Sequence, residues 1–498
     1  MTSINSDFMS QLALRSLGQS SNMMTQAMER LSTGKRINSA ADDAAGLGIA
    51  TKLRAQVNSL EAAGRNASDA LALIGTIDGA LEESGEILQR MRELAVQSAS
   101  DTNTGTDRTF IQDEINQLAQ EINRISSSTE FNSVKLLDGT YTDKSIQIGT
   151  GANQVFRLGV SATDAATLGA YQRNSAVEAT AASDTHAKAV SAMTATFADA
   201  ADYAVKGSFG TATASVAAGA DARDVARTFN LLSGTTGINA SVVSKAQLKV
   251  DAATTFSFTL QGKSTTLSTV NATISDVSNL TALKDAINAV SGQTGIVAAL
   301  TEDLAGVNIT QEEGYDIVVG DVTAASGNMT IQGMEADGTL AGSAVTLDAD
   351  ATAGDSAAVV GQVTLSSHKA FTVTPGDAKN HFSAATAALT SDLSSVGNLN
   401  LKTQAGATKA IAVLDAAMAQ ISEIRAEMGA AENRLESTVD NITNVGVNVQ
   451  RSLSSVEDAN FAAETSQLTK AQILQQAATS MLAQANKAKQ TMLVLLQG

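Results

Sequence analysis

The chain has no cysteine and no tryptophan, one proline (Pro375) and only four tyrosines in 498 residues. The missing cysteine excludes disulfides, thiolate metal sites and a cysteine nucleophile. Scarce aromatics in an Ala-, Ser- and Thr-rich chain suit helix–helix seams of small side chains better than an aromatic-lined pocket. With a single proline, little interrupts a long helix. The three histidines, His186, His368 and His381, include no i, i+4 pair and no HExxH, so a helical zinc site is unsupported. There is no GxxxxGK[ST] phosphate loop. Gly46-Leu47-Gly48 reads as close helix packing, and the acidic pairs Asp42/Asp43, Glu82/Glu83 and Glu312/Glu313 read as solvated faces. No cofactor and no enzymatic activity are expected.

No apolar run reaches the roughly eighteen residues of a membrane span, so none is expected. The segment MTSINSDFMSQLALRSLGQS has no basic start and no continuous apolar stretch, so export is expected to proceed without a conventional cleavable signal. The net charge of −18 argues against non-specific nucleic-acid binding. Most of it lies in residues 165–400. Residues 1–45 are neutral, as suits packing against copies of the same chain.

What is present is helical periodicity at both ends. Leu14, Leu17, Met24, Met28 and Leu31 mark a first amphipathic helix over 3–32, closed by Gly34. Ser39, with Asp42 and Asp43 after it, is placed as the cap of a second helix over 42–100. Its seam runs from Leu53 through Leu60, Ala67, Ile74, Leu81 and Leu88 to Ala95, broken by Asp78 and Arg92. Leu73, Ile77, Ile87, Met91 and Leu94 form a second stripe, so two partner helices are expected. Ile111, Ile115, Leu118, Ile122 and Ile125 mark a third helix. Ile146, Ile148 and Val155–Val160, separated by Gly149-Thr150-Gly151-Ala152-Asn153, read as a β-hairpin.

From 411, one heptad position holds Leu414, Ile421, Met428, Leu435, Ile442, Val449 and Val456. A final helix, about 458–496, shows a thin stripe of Leu474, Ala478, Met481, Ala485, Ala488, Met492 and Leu495. Alone it would be marginal in water. Between the ends lies strand-like sequence with an internal repeat. SGTTGINASV (233–242) returns as SGQTGIVAAL (291–300), and Val225, Phe229 and Asn230 align with Leu283, Ile287 and Asn288. Each unit reads as a short helix, a glycine turn and a strand, which implies two related α+β modules. The fold class is therefore multidomain: an α-helical coiled-coil rod from paired N- and C-terminal segments, with an inserted β-rich α+β outer region.

The terminal segments resemble bacterial flagellin. The likeness rests on LSTGKRINSAADDAAGLGIA (31–50), QRMRELAVQSAS (89–100), FNSVKLLDG (131–139) and IQIGTGANQ (146–154). It also rests on AEMGAAENRLESTVDNI (426–442) and VEDANFAAETSQLTKAQILQQAATSMLAQAN (456–486). It covers about 1–165 and 405–498.

The resemblance implies that 1–43 and 457–498 are inner-tube helices, disordered in the monomer. It implies that 44–165 with 405–456 form the rod with its β-hairpin, and that 166–404 is a surface-exposed variable region with modules at about 205–250 and 255–325. A secreted subunit of an extracellular bacterial flagellum would polymerise head to tail. Its partners would be copies of itself, an export chaperone of the type III apparatus, and the filament cap and hook-associated proteins. An animal toll-like receptor for flagellin would read Gln89, Arg90, Glu93, Leu94 and Glu114. Polymerisation or chaperone binding would use Leu14, Leu17, Met24, Met28, Leu31, Ile473, Leu474, Met481, Leu482 and Leu495. The alternative is a hook–filament junction protein, which shares paired terminal helices.

Overall fold

The computed structural model describes residues 8–176, 179–181, 201–217, 220–264, 266–301, 303–348, 356–376, 382 and 387–497. Two compact units emerge: Met1–Gly75 with Asp143–Gly159 and Gly429–Gly498, and Thr76–Thr142 with Val160–Met428. Nine helices are described: α1 (Phe8–Thr33), α2 (Ala44–Ala99), α3 (Gly105–Ser128), α4 (Ala222–Leu231), α5 (Ser233–Thr236), α6 (Thr281–Ala289), α7 (Ser291–Thr294), α8 (Gln404–Glu457) and α9 (Phe461–Gln497).

In the first unit α1 packs against α9. The end of α1 meets the start of α9 through an antiparallel bridge between Lys35 and Asp458 and the bond from Ala459 N–H to Gly34 O, 2.9 Å. Gly34 sits at φ 71°, where glycine costs least, and closes α1 as the sequence suggests. The second helix starts later than expected. Ser39 does not cap it: Ser39 N–H and Oγ donate to Asp42 in a separate turn, and Asp43 accepts from Gly46 N–H at 2.8 Å at the true start. Two acids in succession let one hold the turn while the other caps. The hairpin pairs Lys144–Gln147 with Val155–Leu158, its turn containing Asn153 at φ 68°. Leu60 and Ala63 of α2 pack on Ile442 of α8.

In the second unit α2 and α8 are again antiparallel. The positions that break the apolar seam are ion pairs: Arg425 with Asp78 at 2.8 Å, and Arg92 with Asp415 at 2.6 Å. Both pairs are substantially exposed, so they set register more than stability. α3 buries Ile111, Ile115, Ile122 and Ile125, matching the second stripe of α2 (Leu73, Ile77, Met91, Leu94) in burial. Its start is a complete capping box between Thr104 and Asp107.

The β-rich part of this unit contains the repeat in a fuller form than the sequence shows. Each module opens with a hairpin: Ala201–Lys206 with Thr211–Val216, and Thr255–Gln261 with Ser268–Thr273. Each continues through a helix and a one-turn helix, closed by Gly237 at φ 73° or Gly295 at φ 70°. The aligned asparagines do the same work twice. Asn230 brackets Ala240 with bonds of 2.7 and 2.8 Å, and Asn288 brackets Ala298 with bonds of 2.8 and 2.9 Å.

The modules are nested rather than consecutive. In the second, Val297–Leu300 pairs with Val307–Gln311, and Ile317–Ala324 returns to Thr255–Gln261. In the first, the matching partners come from far downstream: Gln362–Ser367 pairs with Asn239–Val250, and Thr372–Pro375 pairs with Ala201–Lys206. The second module thus occupies the connection between two strands of the first. Phe256, Phe258 and Leu260 alternate into one core with Leu283, Ile287 and Ile296. Tyr203, Phe229, Val363 and Phe371 form the other. Ile317–Gly320 is buried throughout, because that strand is covered on both faces.

Candidate functional site

Two surfaces gather the predicted site residues. The first is the α1–α9 pair. On α9 the buried and half-buried positions are Glu464, Leu468, Ala471, Gln475, Ala478, Leu482 and Ala485, at alternating steps of four and three. On α1 they include Ser10, Ala13, Leu17, Ser20, Met24, Ala27 and Leu31, at the complementary steps. Small residues in the most buried places let the two backbones approach closely. Several bulkier side chains fall beside the seam. Leu14, Met28, Ile473, Leu474 and Met481 are exposed, Ile473 and Met481 by 60% each.

The predicted assembly residues therefore divide. Leu17, Met24, Leu31 and Leu482 face the intramolecular seam, and the other five lie open. Leu495 belongs to a stretch whose side chains lie outside the described residues. The thin stripe drawn through Leu474 and Met481 is not the seam, although Ala478 and Ala485 lie on both lines.

Where this pair ends, a charged joint forms that the sequence gives little sign of. Glu457, with 7% of its side chain exposed, receives Lys35 Nζ at 2.5 Å and is also paired with Arg54. Arg36 N–H donates to Glu457 O at 2.7 Å, and Arg36 Nη2 donates to Val456 O at 2.8 Å. Arg30 reaches Glu464 at 3.1 Å. Burial pushes the Glu457 carboxyl up, but bonds from Lys35 and Arg54 outweigh it and hold it below the usual glutamate range. The LSTGKR segment supplies Lys35, yet nothing local points from it to a residue more than four hundred positions away.

The second surface lies on α2 and α3. Arg90 donates to Glu114 through Nε at 3.1 Å and Nη2 at 2.9 Å, and pairs with Glu93 at 3.2 Å. The bond to Glu114 first, then that to Glu93, raises the already high Arg90 value. Gln89, Arg90, Glu93 and Glu114 are exposed. Leu94, placed by the sequence in the same cluster, is 2% exposed and belongs to the helix packing.

Ser98, in the same QRMRELAVQSAS segment, turns inward. It is fully buried, and its hydroxyl donates to Leu401 O at 2.7 Å. Gln112 completes that clasp: its Oε1 accepts from Leu401 N–H at 2.6 Å and its Nε2 donates to Leu399 O at 3.0 Å. The clasp fixes the chain just before it enters α8. Sequence reasoning missed Gln112, a polar residue flanked by seam isoleucines.

His368 is half-buried, 3.4 Å from Glu423, while His186 and His381 lie outside the described residues. No group of three or more metal-binding side chains occurs among the described residues, and no described helix is long and apolar enough to cross a membrane.

Known proteins are similar to this chain along its length. The profile of the bacterial flagellin N-terminal helical region matches residues 4–142, and that of the C-terminal helical region matches 411–496. The flagellin hook IN motif matches 255–313, within the inner of the two nested modules. The B-type flagellin of Pseudomonas aeruginosa is 36% identical over 99% of both chains. A flagellin of Clostridium tyrobutyricum is 33% identical over 98% of this chain and all of its own. The solved structure of FliC from Burkholderia pseudomallei covers 73% of this chain and 99% of that one, at 16% identity and a TM-score of 0.29. With both helical ends matched in place and relatives aligned end to end, the chain belongs to the bacterial flagellins.

Proposed function

We propose that this flagellin is a structural subunit that polymerises head to tail into the filament used for motility, outside the cell. One observation carries the reading. The α1–α9 seam leaves Leu14, Met28, Ile473, Leu474 and Met481 exposed on its flanks. Burying one such side chain is worth about 1.5–3 kcal/mol, which only further protein surface can supply. A contact between different surfaces of identical subunits generates a helical polymer wherever its rotation does not close into a ring. Before assembly the same residues need cover, and an export chaperone would mask Ile473, Leu474 and Met481. Cap and hook-associated proteins would meet the subunit at the filament ends.

Deleting residues 458–498 tests this. The β-rich region should keep its cooperative unfolding transition while seeded polymerisation disappears. Filaments grown from the truncated chain would refute the assignment of α9 to assembly. A junction protein, the alternative role, would be present in few copies and would not elongate from seeds of itself.

The exposed network of Gln89, Arg90, Glu93 and Glu114 is also suited to recognition by an animal toll-like receptor for flagellin. Its charges are solvated and held in position by one another. Leu94 would contribute to such recognition by supporting the helix beneath them.

A further inference from the structure

The two nested modules meet at a corner that holds a buried carboxyl oxygen without a partner. Asp221 caps α4 of the outer module, accepting from Asp224 N–H at 2.8 Å. Asp316 stands directly before the strand Ile317–Ala324 of the inner module. Its Oδ1 is buried without a hydrogen-bond partner, and its carboxyl group takes the backbone N–H of Gly361. The corner is tightly closed. A Cβ on Gly361 would lie 2.5 Å from Ser244 Oγ and 2.9 Å from Ala222 Cβ. Ser244 is itself fully buried, its hydroxyl likewise unpartnered.

The surrounding cations have partners among the described residues, and Asp316 is bridged to none of them. Arg223 pairs with Asp221 and Asp224 at 3.9 and 3.6 Å, and donates to Tyr315 OH at 2.5 Å while lying over its ring. Arg227 pairs with Asp224 at 3.2 Å, and Lys263 with Glu313 at 2.6 Å. Lys245 Nζ donates to Ala336 O at 2.7 Å, and Glu312 is exposed.

We propose that this corner is a proton-operated latch: a proton on Asp316 lets its carboxyl stay in the joint, and its loss leaves an anion with an unpartnered buried oxygen there and loosens the joint between the modules. The physical causes agree with the geometry. Burial first, then the Asp221 charge, push Asp316 up to about 7. Burial also leads the upward push on Asp221. A carboxyl raised in the folded state adds stability that is complete below its unfolded value near 3.8 and is lost as pH rises through about 7. The full shift corresponds to at most about a thousandfold change in the folding equilibrium.

Denaturant unfolding of the full-length monomer, followed from pH 5 to 8.5, tests the latch. The transition of the β-rich region should weaken with rising pH in the native chain. Asp316→Asn should remove that slope and be the more stable at pH 8.5. Asp221→Asn, which can still cap α4, should shift the loss to lower pH as Asp316 ionises more readily. The Asp316 carboxyl carbon resonance of the native chain, followed by NMR, provides a readout that does not depend on any variant folding. Titration of that carbon near 4, or an unchanged slope in Asp316→Asn, would overturn the latch.

Discussion

Glu457 is the most exposed to experimental attack of the features the tertiary structure creates. Its carboxylate is almost buried, while its partners Lys35 and Arg54 keep 44% and 47% of their side chains in water. This asymmetry makes the two ways of breaking the joint unequal. Glu457→Gln leaves two cations that can rehydrate, so the loss is that of charge-assisted bonds, about 1.5–3 kcal/mol. Removing both cations in Lys35→Ala/Arg54→Ala strands an uncompensated carboxylate, at about 3–5 kcal/mol. Either cation alone should cost less, since the other remains.

Amide hydrogen exchange across 34–43 and 456–464 in the full-length chain measures these losses locally, where a global melt would dilute them. The sign of the pH dependence follows from a depressed carboxyl. The joint should be fully protected at neutral pH and lose protection as pH falls through the Glu457 value, below the ordinary 4.5. Equal effects of Glu457→Gln and the double cation variant would refute the assignment of the burial penalty to the carboxylate. So would a double variant with native protection.

Three further outcomes are expected. Gln112→Leu should destabilise the second unit by about 1–3 kcal/mol, because Leu401 N–H and Leu399 O lose their partner; thermal unfolding with exchange at 399–401 would show it. Phe258→Ala, in the inner module core, should cost about 3–5 kcal/mol in denaturant titrations while seeded polymerisation survives. Arg90→Ala should leave the melting curve unchanged yet reduce receptor signalling by the purified monomer, whereas Leu94→Ala should lower stability by about 2–5 kcal/mol as well. Signalling unchanged in Arg90→Ala would remove the recognition surface.

Much of this protein was legible in residue order. Apolar residues at three- and four-residue steps marked the long helices, because that spacing follows from the turn of the helix and needs no distant partner. Gly34 and the glycine-rich hairpin turn were legible for the same local reason. The repeat at 233–242 and 291–300 revealed two related modules because Asn230 and Asn288, with Gly237 and Gly295, perform the same local task in each.

The tertiary structure decided what depends on register between distant segments. Which apolar residues close the α1–α9 seam, and which stay open, was settled by the small residues that allow close approach, not by the largest side chains. Asp78 and Arg92 looked like gaps in a seam until Arg425 and Asp415 arrived from the other end of the chain. Ser98 and Gln112 carry no local sign that Leu399–Leu401 passes between them and takes their hydrogen bonds. The nesting of the modules was invisible because strand pairing carries no local signature of its partner's position. Sequence alone thus determined the elements and the pairing of the ends; long-range packing selected the residues with surface left for other molecules.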